Sequence, residues 1–250
     1  MLLLKKLGVN GIFRAKYICP CSSATRVRRF SRPQAEGNES VTHSNHRQGT
    51  RENLQDDWVV LSLPYSGPPE VMAKVARFKE ICARHKPVNA DREKAWHIFV
   101  FDDKERMGAA LKELVEAEIG YPVVVSGLFD EVAECCRRAG TRPHTVNHSL
   151  GFWGRQEKLP PQEVLEITSM CGHALVAPSL VWHFAEKVQS GETDAKAACG
   201  EMRRMCLCDI FNHIRAEGLL EGIVRGLKEG RLSLPKDLSN QLPATEGAEP

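Results

Sequence analysis

Between Trp58 and Asn147, short apolar runs alternate with amphipathic stretches of helical length, and this alternation limits the fold more than any other feature of the chain. Trp58-Val-Val-Leu-Ser-Leu63 is an apolar, β-branched run suited to a buried strand. Pro68-Pro69-Glu70 then opens a helix, because proline is tolerated in the first turn and glutamate complements the dipole there. Val71, Val75, Phe78 and Cys82 supply its apolar face. A second strand is expected at Trp96–Phe101, followed by a helix over about Glu105–Glu118 with Ala110, Leu111, Leu114 and Val115 inward. The third strand, Tyr121–Val125, leads to a helix over Asp130–Ala139 that ends at Gly140, a residue suited to a left-handed cap. A fourth, weaker strand covers His144–Asn147.

Units of this length predict an α/β fold: an open, mostly parallel sheet of about four strands with flanking helices and right-handed crossovers. From about residue 160 to 230 the pattern becomes all-helical, with helices expected at Pro161–Met170, Pro178–Gln189, Thr193–Met205 and Asp209–Leu227. The fold class is thus α/β with an all-helical C-terminal lobe, in a single domain over 57–234.

The two ends have different compositions. Residues 1–35 carry Lys5, Lys6, Arg14, Lys16, Arg26, Arg28, Arg29 and Arg32 and no acidic residue. That arginine-rich, serine-containing, acid-free composition predicts a mitochondrial targeting segment, and Arg28-Arg29-Phe30-Ser31 resembles a cleavage site. The expected compartment is the mitochondrial matrix; chloroplast and cytoplasm are the alternatives. Residues 36–56 are polar and read as a disordered linker, and 235–250, with three prolines and scattered acids, as a disordered tail.

Charge follows the same division. The formal charge is +2, but removing those eight cations from 34 leaves 26 against 32 acids, a net of about −6 for the remainder. A mildly acidic body lacks the basic face that a nucleic acid partner requires. No uninterrupted apolar run approaches the roughly 18 to 20 residues needed to span a bilayer.

Two regions offer chemistry. In an open parallel sheet, small molecules bind at the carboxyl ends of the strands. The loops expected at that edge contain Ser66, Gly67, Ser126, Gly127, Asn147 and Ser149, which are candidates for cofactor binding. Turn residues and helix caps would place the same residue types there without any ligand. His144 and His148, in the segment His144-Thr-Val-Asn-His-Ser-Leu-Gly-Phe-Trp-Gly154, are the candidate acid–base residues, since their even spacing allows them to share a face. No GxGxxG or Walker-type phosphate loop is present.

The second region is cysteine-based. Nine cysteines are many for a chain expected in a reducing compartment, where metal ligands and free thiols outnumber disulfides. Cys82 and Cys199 fall on apolar helical faces where cysteine packs as a small hydrophobe, and at least one of Cys135 and Cys136 is expected to do the same. Met170-Cys171-Gly172-His173 and Met205-Cys206-Leu207-Cys208 instead place two soft ligands at i and i+2, each where a helix is expected to end. Cys171, His173, Cys206 and Cys208 together make three thiolates and one imidazole. That set suits tetrahedral zinc or an iron–sulfur cluster with one histidine. In the metal-free alternative the cysteines simply pack.

The same segments carry a resemblance. From about Tyr121 to Leu220 the chain resembles a family of uncharacterised, mostly prokaryotic α/β proteins. The match rests on His144-Thr-Val-Asn147 with Ser149-Leu-Gly151, on Leu159-Pro-Pro161 with Met170-Cys-Gly-His173, and on Cys206-x-Cys208 with Phe211-Asn212 and Arg215-Ala216. The resemblance implies that these motifs act as one unit, and it implies no reaction. The family pattern has glycine after CxC, where this chain has Asp209. Three functions follow as expectations: a metal- or cluster-binding protein, an enzyme with a small-molecule site at the strand ends, or a non-catalytic assembly factor that binds a protein partner through its helical lobe.

Overall fold

The structure is a computed structural model that describes residues 38–42, 47–62, 67–91, 97–147 and 156–235, all within the unit Arg32–Pro250. Two short strands, β1 (Asn38–Ser40) and β2 (Gln48–Thr50), pair antiparallel and lead into a single turn of helix, α1 (Arg51–Leu54). Then follow β3 (Trp58–Leu61), α2 (Pro69–Arg84), β4 (Ile98–Phe101), α3 (Lys104–Glu116), β5 (Val124–Ser126) and α4 (Phe129–Arg138). The remaining elements are helices: α5 (Gln162–Thr168), α6 (Pro178–Ser190), α7 (Ala195–Arg203) and α8 (His213–Lys228), with a 3-10 turn at Gln156–Lys158.

The expected open, mostly parallel sheet of about four strands is not what forms. The sheet has three strands in the order β4-β3-β5, and β3 is antiparallel to both neighbours. Residues 144–147, expected as a fourth strand, are exposed and carry no strand. The reason lies between α2 and β4. One helix between two strands returns the chain for a parallel strand only if the connectors add no further pass. Here the chain after α2 runs along the outer edge of β4 at Val88 and Asn89 before it enters that strand. Val88 N donates to Val100 O at 2.7 Å, Asn89 Nδ2 donates to Ile98 O at 3.0 Å, and Val100 N donates to Asn89 Oδ1 at 3.0 Å. Left-handed backbone at Lys86 (φ 53°) and His97 (φ 59°) turns the chain on either side of this pass. β4 and β5, joined through α3, do run in the same direction, with β3 between them.

Strand alternation divides the core in two. Val59, Leu61 and Val100 face α5–α8, packing with Ile167, Trp182, Met202 and Leu220. Trp58, Val60, Phe99 and Phe101 face α2–α4, with Phe78, Met107, Leu111 and Val132. All four residues of β3 are buried, as a central strand covered on both faces requires.

Local signals account for the helix ends. Asp103 accepts from Arg106 N at 2.7 Å, and Asp194 accepts from Ala197 N at 2.7 Å. α4 closes with Gly140 at φ 76°, Gly140 N bonded to Arg137 O and Thr141 N to Cys136 O, the paired bonds of a Schellman motif.

The stretch 36–56, expected as a linker, contributes to the core. Val41, Arg47 and Leu54 are buried, Val41 bridges Leu128, and Thr42 N donates to Gly127 O at 2.9 Å, covering the outer edge of β5. Composition suggests disorder here because the segment has few large apolar residues. It is held instead by the buried Arg47–Asp57 ion pair and by hydrogen bonds to distant partners, among them Arg47 Nε to Met170 O and Asn53 Nδ2 to Glu166.

Candidate metal centre

The helical lobe brings two turns together. The first follows α5 and holds Cys171, Gly172 (φ 76°), His173 and Ala174 (φ 53°); the second joins α7 to α8 and holds Cys206, Leu207, Cys208 and Asp209 (φ 58°). Three left-handed residues bend these turns and bring side chains two apart together, which a helix of the same sequence would not allow. At Asp209 the chain adopts the left-handed conformation that favours glycine, so the turn geometry survives the departure from glycine.

The ligand atoms of Cys171, His173 and Cys208 lie within 4.8 Å of one another, close enough to hold a metal ion. Cys206 Sγ is 3.4 Å from Cys208 Sγ and is hydrogen-bonded to Cys171 as well. Cys171 and Cys206 are buried, Cys208 is half-buried and His173 is exposed, so the group sits at the edge of the lobe core. Leu207 is 79% exposed, and Leu175 and Met205 are also exposed beside the ligands.

Backbone amides point at the sulfurs. The N–H groups of His173 and Leu175 donate to Cys171, that of Phe211 to Cys206, and that of Ile210 to Cys208. Such bonds stabilise thiolates and orient them. The Cys171 thiol is held well below its ordinary range by the thiols of Cys206 and Cys208 and by its two amides, although burial opposes this. Cys206 is pushed up, chiefly through its bond with Cys171, and Cys208 is pushed up by both neighbouring thiols and by burial. A cation held among the three sulfurs would favour their thiolate forms.

Buried polar contacts fix both turns. Asn89 Nδ2, which also bonds β4, donates to Asp209 O at 3.1 Å. Arg47 Nε donates to Met170 O at 3.0 Å, and Arg47 Nη1 donates to Ser126 Oγ at 2.6 Å. Arg47 and Arg215 share Asp57, at 2.6 and 2.7 Å, and Arg215 also pairs with Glu166 at 2.8 Å. Asn212 caps α8 by accepting from Arg215 N at 3.1 Å and donates to Asp56 O at 2.8 Å. Two cations and two anions balance in a region with almost no solvent. Burial pushes the Asp57 carboxyl up, but the two guanidiniums outweigh it and hold the group below the usual carboxylate range.

Among the described residues, the strand-end candidates do not assemble. Leu61 pairs with Ile98 and with Val124, so the exit of β3 adjoins the entrances of β4 and β5. Gly67 therefore follows a strand that leaves the sheet at the end opposite to Ser126 and Gly127. Ser126 is buried on Arg47, and a Cβ on Gly127 would lie 2.3 Å from Trp58, so both positions serve packing. His144 and Asn147 are exposed. Ser66, His148 and Ser149 lie outside the described residues.

Cys82, Cys135, Cys136 and Cys199 are buried within helices, and burial raises all four thiols, Cys199 to about 12. They pack, as their helical faces suggest. Sequence reasoning missed Arg47, Asp57, Asn89 and Glu166. Arg215 and Asn212 were visible within the motif that follows CxC.

No helix among the described residues is long and apolar enough to cross a membrane. Comparison with protein-family models, with curated proteins and with solved structures finds no match to this chain.

Proposed function

We propose that this protein is a zinc-binding protein of the mitochondrial matrix, with Cys171, His173, Cys206 and Cys208 as the ligands of one ion. The observation that carries the reading is the convergence of three ligand atoms within 4.8 Å, with the Cys206 sulfur 3.4 Å from Cys208. Tetrahedral zinc with Zn–S distances of about 2.3 Å separates neighbouring sulfurs by about 3.8 Å, near the spacing found here. An iron–sulfur cubane puts each cysteine on a different iron and needs its sulfurs farther apart, so the compact group favours a single ion.

Four protein ligands leave no open position, which is the arrangement of a structural rather than a catalytic zinc. The ion would join the turn after α5 to the turn before α8, whose ligands are more than thirty residues apart in sequence. The matrix assignment rests on the acid-free basic composition of residues 1–35.

The test is elemental analysis and a visible spectrum of anaerobically purified protein. The expected result is a colourless protein with one zinc per chain. A brown protein containing iron and acid-labile sulfide, or one with no metal, overturns the zinc assignment. Location is tested separately with a fluorescent fusion of residues 1–40. It should enter mitochondria and be clipped near Phe30 or Ser31, and cytosolic retention of the intact fusion overturns that part.

A further inference from the structure

We propose that the same four residues form a peroxide-sensitive switch, in which Cys206 and Cys208 are oxidised to a disulfide and the metal is released. The inference rests on the metal-binding reading above and adds to it a mode of regulation.

Geometry selects the pair. The two sulfurs are 3.4 Å apart, a separation that must close to about 2.05 Å for a bond. They lie two residues apart in a turn, and consecutive Cα atoms about 3.8 Å apart keep such a pair close to the disulfide range of about 4.4–6.8 Å. Access differs between them. Cys208 is half-buried next to the exposed Leu207, whereas Cys206 is only 1% exposed. An oxidant from solvent therefore meets Cys208 first, and Cys206 is already placed to resolve the product. Cys171 also contacts this pair, but it is buried and lies on the separate turn after α5, more than thirty residues away in sequence. Cys82, Cys135, Cys136 and Cys199 are all buried within helices.

The chemistry balances with hydrogen peroxide as the oxidant. The Cys208 thiolate attacks one peroxide oxygen, the O–O bond breaks, hydroxide leaves, and a sulfenic acid remains on Cys208. The Cys206 thiolate then attacks that sulfur, forming the S–S bond and expelling a second hydroxide. Two thiolates lose two electrons in total, and one peroxide becomes two hydroxides. Cys171 and His173 remain as two ligands, too few to retain the ion. A dithiol reductant reverses the change.

The experiment uses the full chain. Metal content is measured first on untreated, anaerobically purified protein. Hydrogen peroxide is then added in small molar excess, zinc release is followed with a chromogenic chelator, and unreduced peptides are mapped by mass spectrometry. The expected result is one zinc released per chain, together with one Cys206–Cys208 disulfide. Cys82, Cys135, Cys136 and Cys199 should remain free thiols, and dithiothreitol with added zinc should restore the bound metal. Untreated protein with no metal overturns the metal reading and the switch together. Metal that is present and survives peroxide, or leaves without a Cys206–Cys208 disulfide, overturns the switch alone.

Discussion

Arg47 Nε donates to the carbonyl oxygen of Met170 at 3.0 Å, so a residue before the first core strand holds the backbone immediately ahead of Cys171. The same guanidinium pairs with Asp57 at 2.6 Å with both side chains buried, and Asp57 in turn reaches Arg215 at 2.7 Å. The turn bearing Cys171 and His173 is thereby tied to the N-terminal segment and to the start of α8.

Removing Arg47 should therefore destabilise the fold and loosen the metal centre. Arg47→Met leaves Asp57 with one cation instead of two and leaves the Met170 carbonyl without this donor. Breaking a buried pair from one side costs about 3–5 kcal/mol. Urea denaturation of Arg47→Met should show a loss of that size, and competition with a chelator should show weaker zinc retention. An unchanged midpoint would mean that the network contributes nothing to stability.

The network also sets an acid limit. The folded pKa of Asp57 is depressed, so its stabilisation is fully present above the unfolded value of about 3.9 and is lost as pH falls through the folded value. Metal-free protein should thus keep this contribution at pH 5 and lose it progressively below about pH 4. Asp57→Asn should flatten that part of the stability profile while lowering stability at neutral pH. Equal acid sensitivity in both proteins would contradict the assignment to Asp57.

Parts of this arrangement can be read from residue order and parts cannot. Helix α2 is legible because Val75, Phe78 and Cys82 recur at helical spacing behind Pro69. The end of α4 is legible because Gly140 supplies a left-handed cap. Strand positions follow from β-branched runs, but strand direction depends on how often the connectors cross the sheet. The pass of Val88 and Asn89 along β4 leaves no periodic signature. The metal ligands stand out because soft side chains cluster where helices end. Arg47, Asp57 and Glu166 do not, because an isolated charged residue reads as solvated until its partner, here more than a hundred residues away for Glu166 and Asn53, is known.

Gly127 distinguishes packing from ligand binding at the end of β5. A Cβ there would lie 2.3 Å from Trp58 Cε3 and 3.2 Å from Val132, and a buried indole has little room to move. Gly127→Ala should cost at least the 1–3 kcal/mol or so typical of overpacking. His144→Ala, at an exposed position, should change stability by no more than about 0.5 kcal/mol. Thermal melts of the two variants check both statements, and a tolerated Gly127→Ala would reopen the question of a cavity there.

Ala174 tests the strain in the ligand turns. It is exposed and sits at φ 53°, a conformation that costs a residue with a Cβ about 1–2 kcal/mol. Ala174→Gly removes that cost but adds freedom to the unfolded chain worth about 0.4–1 kcal/mol. The net expectation is a gain of roughly 0.5–1 kcal/mol, visible as a higher melting temperature in the zinc-loaded protein. A loss would show that Ala174 does not adopt the left-handed conformation in solution.

Metal removal is the broadest test, because it connects the site to the fold. The thiols of Cys206 and Cys208 are pushed up beside Cys171, and a bound cation favours thiolates. A bound ion therefore supplies compensating charge, and its binding energy adds to folding energy. At free zinc a hundredfold above Kd, the linkage amounts to about 2.7 kcal/mol. Chelation should lower the melting temperature and expose the α5–α6 and α7–α8 turns to faster hydrogen exchange. The amides of β3, held by pairing on both sides and buried on both faces, should exchange more slowly throughout. Cys206→Ser should reproduce the chelated state without chelator, and adding zinc should no longer restore the melting temperature. If chelation leaves melting and exchange unchanged while zinc is demonstrably lost, the ion is not part of the fold's stability.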